Sequence, residues 1–263
     1  MTKIKFTKMV GAGNDFVVID STHKDYSKLT KVLCQRRTGV GADGVLVLEK
    51  SKKADFKMRI FNADGSEAEM CGNGLRCAVL YVDKKRKVKI ETMAGMYEAE
   101  ITGKDSVRIK MAAPKDLKKD IGITVNGRAI KVNYIDAGVP HAVIFVEGLN
   151  GIDVDNIGRS IRYHDEFKPR GANVDFVEII DDASIRIRTY ERGVEAETLA
   201  CGTGSVASAI ITALGSRLKA QGVNVHTKGG TLKVYFKKDG SKVKDVYLEG
   251  EAKIVYEGEV DYV

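Results

Sequence analysis

The chain has 263 residues, of which 43% are hydrophobic and 30% are charged, and its formal net charge at pH 7 is +7. This composition is that of a soluble globular protein, and the length favours two domains over one. No apolar run approaches the roughly 18 residues that a membrane-spanning helix needs, and the charged, strand-like segment 1–6 is not a secretory signal. We therefore expect a cytoplasmic protein without a membrane partner.

The positive charge comes mostly from lysines scattered along the chain, and the densest basic run covers residues 84–89. A nucleic-acid-binding surface combines basic residues with interleaved aromatic residues on one face. We interpret the charge instead as a solvated basic surface, which can attract anionic substrates over a distance. No nucleic-acid partner is expected.

Strands dominate the predicted elements, and the first half contains one strongly marked helix. The small and apolar residues after Cys71 predict a helix over 74–81. The glycine-rich segments 11–13 and 39–41 lack the spacing of nucleotide-binding loops, so we interpret them as tight turns where backbone approaches a ligand, rather than as plain connections. The strands predicted from alternating or apolar segments lie at 4–6, 16–19, 45–48, 56–61, 88–92, 97–101 and 107–111.

A second helix is predicted over 204–218, directly after Cys201. Its residues are apolar almost all round, which indicates a helix buried inside its domain. Cys34, on the buried face of a helix, and Cys77 are interpreted as core thiols. In a cytosolic chain of this size, all four cysteines are expected to be free.

The two halves of the chain resemble each other. Five segments recur in the same order at an offset of about 130 residues, among them 41–47 with 171–177 and the two cysteine motifs. We therefore predict an α+β fold of two pseudo-symmetric halves. Each half is a strand-rich, barrel-like sheet around a central helix, and the active-site cleft lies between the halves. The boundary is placed at 113/114.

The two cysteine motifs carry the chemistry. Each cysteine, Cys71 and Cys201, opens a Cys-Gly-x-Gly sequence at a predicted helix start. Unpaired backbone N–H groups and the helix dipole at such a position favour a thiolate, and they can also hold a substrate carboxylate. A thiolate on one face of an amino acid and a thiol on the other can remove and return an α-proton with inversion. Nothing in the sequence marks a pyridoxal lysine, so no cofactor is expected.

Other interpretations of these residues stay open at this point. A cysteine before a helix is most often a small buried hydrophobe. A duplicated motif can also mark a disulfide, a metal pair or a remnant of gene duplication, although a metal site would need further Cys or His ligands. His141 fits a structural role as well as a role in the site.

Segments 61–77, 11–16, 190–193 and 200–204, with Glu197-Thr198, closely resemble the signature of the diaminopimelate epimerases. The resemblance runs in order over essentially the whole chain. It implies a pyridoxal-independent isomerase that interconverts LL- and meso-2,6-diaminopimelate, on the route to lysine and peptidoglycan. It also implies that residues 252–263 return to the first half, which then comprises 1–113 and 252–263, with 114–251 as the second.

The resemblance also implies roles for individual residues. Cys71 and Cys201 correspond to the acid/base pair, and Glu191 and His141 to residues that support proton transfer. Tyr256 corresponds to a tyrosine at a homodimer contact. The implied substrate-binding residues, some at the reacting carboxylate and several at the distal amino-acid end, are Asn14, Asn62, Gly72, Asn73, Asn173, Glu191, Arg192, Gly202 and Thr203.

Two positions depart from the family pattern. Members often have Gln where this chain has Gly44, and Asn where it has Val139. The family's Gln and Asn at those positions can contact substrate. Since Gly44 and Val139 replace them, neither residue is predicted to bind substrate here.

Three other classes of protein compete with this interpretation. A proline racemase or hydroxyproline epimerase shares the two-cysteine chemistry, but typically has His at the position of Asn73 and needs no residues for a second amino-acid end. A non-catalytic binding protein on the same fold would not need both cysteines and Glu191. A thiol redox protein needs its cysteines close enough to pair, and inactivation by oxidation to a disulfide is a further hypothesis.

Overall fold

The computed structural model describes residues 2–20, 25–82, 87–215, 222–240 and 242–262. The chain divides into two compact units, Met1–Lys110 with Glu249–Val263, and Met111–Leu248. Residues 84–86 of the basic run lie outside the described residues, and so do residues 216–218 of the second predicted helix.

The elements of the first unit precede those of the second, except for the last strand. In chain order they are β1 (Thr2–Gly11), β2 (Asn14–Ile19), α1 (Tyr26–Leu33), β3 (Gly44–Glu49), β4 (Phe56–Asn62), β5 (Glu67–Ala68), α2 (Gly72–Val82), β6 (Val88–Thr92), β7 (Gly95–Gly103) and β8 (Ser106–Lys110). There follow β9 (Lys115–Val125), β10 (Arg128–Asp136), β11 (Pro140–Phe145), α3 (Val154–Arg162), β12 (Asn173–Asp181), β13 (Ser184–Glu191), β14 (Ala196–Thr198), α4 (Gly202–Leu214), β15 (Gly222–Thr227), β16 (Gly230–Asp239), β17 (Lys242–Glu251) and β18 (Lys253–Tyr262).

The first unit is one curved sheet around a helix. Its strands pair in the order β18–β1–β2–β3–β4–β6–β7–β8. Only β2–β3 and β4–β6 are parallel among these pairs, and parallel neighbours need a crossover, which α1 and α2 supply. Strands β1, β2, β3, β4, β7, β8 and β18 all contact α2. The helix that begins after Cys71 therefore lies in the centre of this unit.

The second unit repeats this order of pairings, as β9–β10–β11–β12–β13–β15–β16. Its parallel pairs are β11–β12 and β13–β15, crossed over by α3 and α4. Strands β10–β13, β15 and β16 all contact α4. The predicted α+β fold of two pseudo-symmetric halves is confirmed, and in the described residues the sheet remains open rather than closing into a barrel.

Both central helices are buried, as their composition predicts. Every residue of α4 from Gly204 to Ala213 is buried, and most of these side chains are small, so strands can pack around the helix on all sides. Helix α2 begins at Gly72, two residues before the predicted start. Cys77 on α2 and Cys34 at the end of α1 are buried free thiols. Among the described helices, none combines the length and apolar character that crossing a membrane requires.

Candidate active site

Cys71 lies immediately before α2, at the start of its first turn. Its carbonyl oxygen accepts a hydrogen bond from the Leu75 amide at 2.8 Å, which fixes the first turn. The residue is partly exposed. A Cβ atom on Gly72 would meet no atom of the protein within 4 Å. This helix start is therefore open to a ligand, and an anion can approach it closely.

Asn73 and Asn14, two predicted binding residues, lie together in the first unit. The Asn73 side chain is buried, and its Nδ2 donates to Asn14 Oδ1 at 2.6 Å. Asn14 Nδ2 donates in turn to Asp43 Oδ2 at 3.1 Å. Asn62 lies opposite Gly44 in the β3–β4 ladder, and its Nδ2 donates to Ser66 Oγ at 3.0 Å. Amide side chains thus surround the start of β2 and β3 and the end of β4.

An ionic network fixes the backbone around Asn14, and the sequence did not predict it. Asp15 pairs with Lys8 at 2.7 Å and with Arg36 at 2.9 Å, and it accepts the backbone amide of Asp43 at 3.0 Å. Burial alone raises the pKa of Asp15, but the hydrogen bonds from Arg36 and Lys8 outweigh it and lower the pKa to about 2. Asp15 is therefore ionised at neutral pH, and it ties β1 and β2 to the segment before β3.

Cys201 caps the N-terminus of α4 in the second unit. Its Sγ accepts a hydrogen bond from the Gly204 amide at 3.4 Å and lies 3.5 Å from Thr203 Oγ1. Its carbonyl oxygen accepts from both the amide and the hydroxyl of Ser205, at 2.9 Å each. The thiol is 5% exposed. Gly202 and Thr203, both predicted to bind substrate, thus form the first turn beside this sulfur.

The prediction that the helix start lowers the thiol pKa is wrong for Cys201. Burial raises the pKa of this thiol well above its ordinary value, and the negative charges of Glu191 and Asp175 raise it further. The hydrogen bonds from Thr203 and Gly204 oppose this rise only in part. Cys201 is therefore a protonated thiol at neutral pH in the described structure.

His141 belongs to a fully buried polar cluster in the second unit. Its Nδ1 lies 2.7 Å from Asp175 Oδ2, and neither side chain is exposed. The other carboxylate oxygen of Asp175 accepts from Thr189 Oγ1 at 2.7 Å. Asn173 Nδ2 lies 3.4 Å from His141 Nε2, and Asn173 Oδ1 accepts from the Arg192 amide at 2.8 Å. Three predicted site residues, His141, Asn173 and Arg192, are thus brought together.

Sequence reasoning missed Asp175, although a signal was present. An aspartate between Val174 and Phe176, within a strand of apolar residues, is costly to bury without partners. The structure supplies those partners and also gives a reason for Gly204. A Cβ atom on Gly204 would lie 2.4 Å from Asp175 Oδ1, so only glycine lets the first turn of α4 cover this carboxylate.

Glu191 ends β13 and lies within electrostatic reach of Cys201 and His141. Burial raises the pKa of its carboxyl above the ordinary value of 4.5, and the charge of Asp175 adds to this rise. The folded protein therefore binds this proton more tightly than the unfolded chain does. As pH rises through the interval between the two pKa values, ionisation of this half-buried carboxyl lowers the free energy of unfolding.

Replacing Glu191 by glutamine should therefore raise the free energy of unfolding at about pH 7 and leave it unchanged at about pH 4. Urea unfolding at a series of pH values measures the difference. Glu195→Gln is the matched control of opposite sign. Partial burial raises the pKa of Glu195, but hydrogen bonds from Gly193 and Arg162, among others, outweigh it and give a lowered pKa. That variant should lose stability at neutral pH, and a Glu191→Gln variant that behaved in the same way would contradict the assignment.

Gly44 and Val139, which depart from the family pattern, both lie where neighbouring backbone is close. A Cβ atom on Gly44 would lie 2.6 Å from the Phe61 carbonyl oxygen, so any larger side chain forces β3 and β4 to shift. Val139 is half-buried in the turn between β10 and β11, and its carbonyl oxygen accepts from the Ala137 amide at 3.1 Å. Across the described ranges, no three His, Cys, Asp or Glu side chains are grouped so that they could hold a metal ion.

The sequence profile of the family described as diaminopimelate epimerase matches residues 6–116 and 133–255. A curated protein named diaminopimelate epimerase from Methanocella arvoryzae is 46% identical, over 99% of this chain and 98% of its own length. Its namesake from Caldanaerobacter subterraneus is 43% identical over 98% and 100%, and the one from Aquifex aeolicus is 41% identical over 97% of both chains.

Solved structures share the fold at low sequence identity. A phenazine biosynthesis protein of the PhzF family from Bacillus anthracis superimposes with a TM-score of 0.76 at 18% identity, over 100% of both chains. A probable proline racemase from Agrobacterium radiobacter gives 0.70 at 16% identity, over 99% of this chain and 93% of its own. The profile match and the near full-length identities establish that the chain belongs to the diaminopimelate epimerase family.

Proposed function

We propose that this protein interconverts LL- and meso-2,6-diaminopimelate by moving an α-proton between two cysteines, Cys71 and Cys201. The observation that carries the proposal is the Cys-Gly-x-Gly helix start, present once in each unit. It occurs in a chain that is 46% identical to a curated diaminopimelate epimerase over almost its whole length. The reaction makes the protein an isomerase of lysine and peptidoglycan precursor biosynthesis.

The reaction needs one thiolate and one thiol on opposite faces of the substrate's Cα. The thiolate takes the proton, so that an S–H bond forms while the C–H bond breaks and its electron pair moves into the carboxylate as an enolate. The other thiol then gives its proton to the opposite face, and the configuration inverts. Backbone amides at the helix starts, including those of Gly72, Asn73, Gly202 and Thr203, stabilise the enolate oxygens.

In the second unit, buried polar groups support the proton transfer to and from Cys201. Glu191 acts on Cys201 directly through its charge. His141, held by Asp175, lies beside Asn173. The proton affinity of Cys201 depends on the charge of Glu191, which suits a sulfur that must act as acid in one direction and as base in the other.

The distal amino-acid end must be held but not changed. Amide and guanidinium side chains suit a carboxylate and an ammonium group, because they offer fixed hydrogen bonds without a proton to transfer. We assign this role to Asn14, Asn62, Asn173 and Arg192. A proline racemase has no such second end to bind, so these residues favour diaminopimelate over proline or hydroxyproline.

We further infer a cytoplasmic homodimer that binds neither membrane nor nucleic acid. The support for the dimer is an exposed apolar stretch on β18, Ile254, Val255 and Tyr256, within its ladder with β1. Tyr256 packs edge-on against Phe6 at 5.9 Å, which keeps its ring in place at the surface. Sedimentation of the unchanged protein and of the Tyr256→Lys variant tests this contact. We expect a dimer for the unchanged protein and a monomer for the variant, and a monomer in both cases would reject the contact.

The function is tested by incubating the purified protein with LL-diaminopimelate in heavy water. We expect deuterium at Cα and appearance of the meso isomer without any added cofactor. L-proline and trans-4-hydroxy-L-proline, offered in the same way, should show neither exchange nor inversion. Folded protein that left LL-diaminopimelate unlabelled and uninverted would refute the proposal, and turnover of proline alone would favour the racemase instead.

A further inference from the structure

Arg76, on α2, is a buried cation that has no carboxylate partner among the residues that the structure describes. Its side chain is 0% exposed and is the largest fully buried one in the described chain. Its Nη2 donates to Asn73 Oδ1 at 2.6 Å and its Nε to the Glu251 carbonyl oxygen at 3.3 Å, whereas Nη1 has no hydrogen-bond partner. Charges buried in proteins are normally paired, because desolvation of an isolated charge is costly. The guanidinium therefore needs an anion.

The groups that act electrostatically on Arg76 are two thiols, Cys77 and Cys71. Burial raises the pKa of Cys77 to about 12, so that thiol stays neutral. Cys71 is partly exposed and stands at the helix start. The bond to Asn73 places the guanidinium in the first turn of α2, two residues from Cys71. Cys71 is thus the group that can supply a negative charge to Arg76.

Many charged groups on the strands packed around α2 pair with one another. Glu257 on β18 acts on Tyr81, near the other end of the helix. Ion pairs on these strands and the segments next to them include Lys8 with Asp15, Arg36 with Asp15 and Asp43, Lys57 with Glu49, Arg59 with Glu49 and Glu67, Arg108 with Glu100 and Glu249, Lys110 with Glu98, Lys253 with Glu251, and Lys3 with Glu259.

The equivalent positions of the second unit have the opposite character. At the offset that relates Cys71 to Cys201, Arg76 corresponds to Val206, which is fully buried on α4. Conversely, Asp175 corresponds to Val45 at this offset, and Glu191 corresponds to Asn62 at the offset of 129 that relates the ends of β4 and β13. One thiol therefore has a buried cation near it, and the other has two carboxylates. The duplication conserved the thiols and reversed the charge around them.

We propose that Arg76 is the buried counter-charge of a Cys71 thiolate, so that the free protein holds Cys71 as the base and Cys201 as the proton donor. The assignment rests on the proposed two-thiol function, and it adds a positioning residue that does not touch the substrate. The free enzyme can therefore deprotonate directly the stereoisomer whose α-proton faces Cys71. The other isomer needs the proton to have moved first from Cys201 to Cys71, through turnover or exchange with solvent.

The test is the pH dependence of alkylation of the two thiols in the native protein, with iodoacetamide and no substrate. Peptide mass spectrometry follows Cys71 and Cys201 separately. We read the pH of half-maximal rate, since the rate itself also reflects the greater exposure of Cys71. In the wild type, the Cys71 midpoint should lie about one pH unit or more below the ordinary thiol value of about 8.5, and the Cys201 midpoint above it.

Two substitutions separate charge from structure. Arg76→Gln keeps an amide donor for Asn73 but removes the charge, and it should raise the Cys71 midpoint by about one unit or more. Arg76→Lys keeps the charge and should restore more than half of that shift. Lys8→Met removes a buried cation that already has its own carboxylate, Asp15, and should leave the Cys71 midpoint in place.

An unchanged Cys71 midpoint in folded Arg76→Gln protein would overturn the assignment. A wild-type Cys71 midpoint at or above the ordinary thiol value would do so as well, and that measurement needs no variant to fold. Because no substrate is present, the result is independent of epimerisation. A low Cys71 midpoint in a protein that does not turn over diaminopimelate would leave Arg76 assigned and reject only the proposed reaction.

Discussion

Replacing either Cys71 or Cys201 by alanine should lower the turnover of epimerisation on the order of 1,000-fold or more, because each variant loses one of two proton-transfer groups. The loss should appear in kcat, measured from either stereoisomer, with little change in KM. In the proposed site, the carboxylate is held by backbone amides that remain in place, and the distal end by side chains that are unchanged.

The two variants should differ in what they can still do. A protein that retains only Cys71 can still remove and return the α-proton of one stereoisomer, so deuterium should enter that isomer without inversion. A protein that retains only Cys201 should label the other isomer. Proton NMR in heavy water, started from each pure isomer, shows which is labelled, and this pattern separates a two-base mechanism from general damage.

Cys34→Ala is the matched control for these substitutions. Cys34 is a buried free thiol at the end of α1, and burial raises the pKa of its side chain to about 11. The Cys34→Ala variant should keep near wild-type turnover, and its unfolding free energy should fall by on the order of 1 kcal/mol. Wild-type turnover in the Cys71→Ala or the Cys201→Ala variant would refute the two-base assignment.

Local patterns of the sequence predicted the elements that position these thiols. Helix α4 is buried on every side and is therefore apolar all round. Composition alone indicated this burial. The internal duplication predicted that the strands around α2 have counterparts around α4. The ladder order could not be predicted in this way, because pairings such as β4 with β6 and β13 with β15 join strands separated by a helix.

The electrostatics of the site depended on contacts that the sequence does not contain. A helix start predicts a lowered thiol pKa, but the depth of burial of Cys201 reverses the sign. Asp175 lies 34 residues from its partner His141, and Arg76 lies 175 residues from the Glu251 carbonyl. Each is a charged residue within an apolar run, and this pattern marks a buried charge without naming its partner.

The Asp175 cluster should also dominate the stability of the second unit. Asp175→Ala leaves both His141 and Thr189 buried without their acceptor, and each unsatisfied buried group is expected to cost about 1–3 kcal/mol of unfolding free energy. Thr189→Val removes a single donor and should cost about 1 kcal/mol. Urea unfolding measures both.

Asp175→Asn distinguishes packing from charge at this position. Asparagine has nearly the same size and can still accept from Thr189, so it should cost less than alanine. It removes the charge that raises the pKa of Cys201 and the acceptor that orients His141. Turnover should therefore fall more than stability does, and the alkylation midpoint of Cys201 should move down.

Asp181→Ala is the control on the same strand. Asp181 is an exposed residue at the end of β12, and it accepts from the Ala183 amide in the turn that follows. It should change the unfolding free energy by less than about 1 kcal/mol and leave turnover intact. If Asp175→Ala were no more damaging than Asp181→Ala, the buried cluster would not stabilise the second unit. Gly204 would then need another explanation, since its lack of a side chain is what lets α4 close over the Asp175 carboxylate.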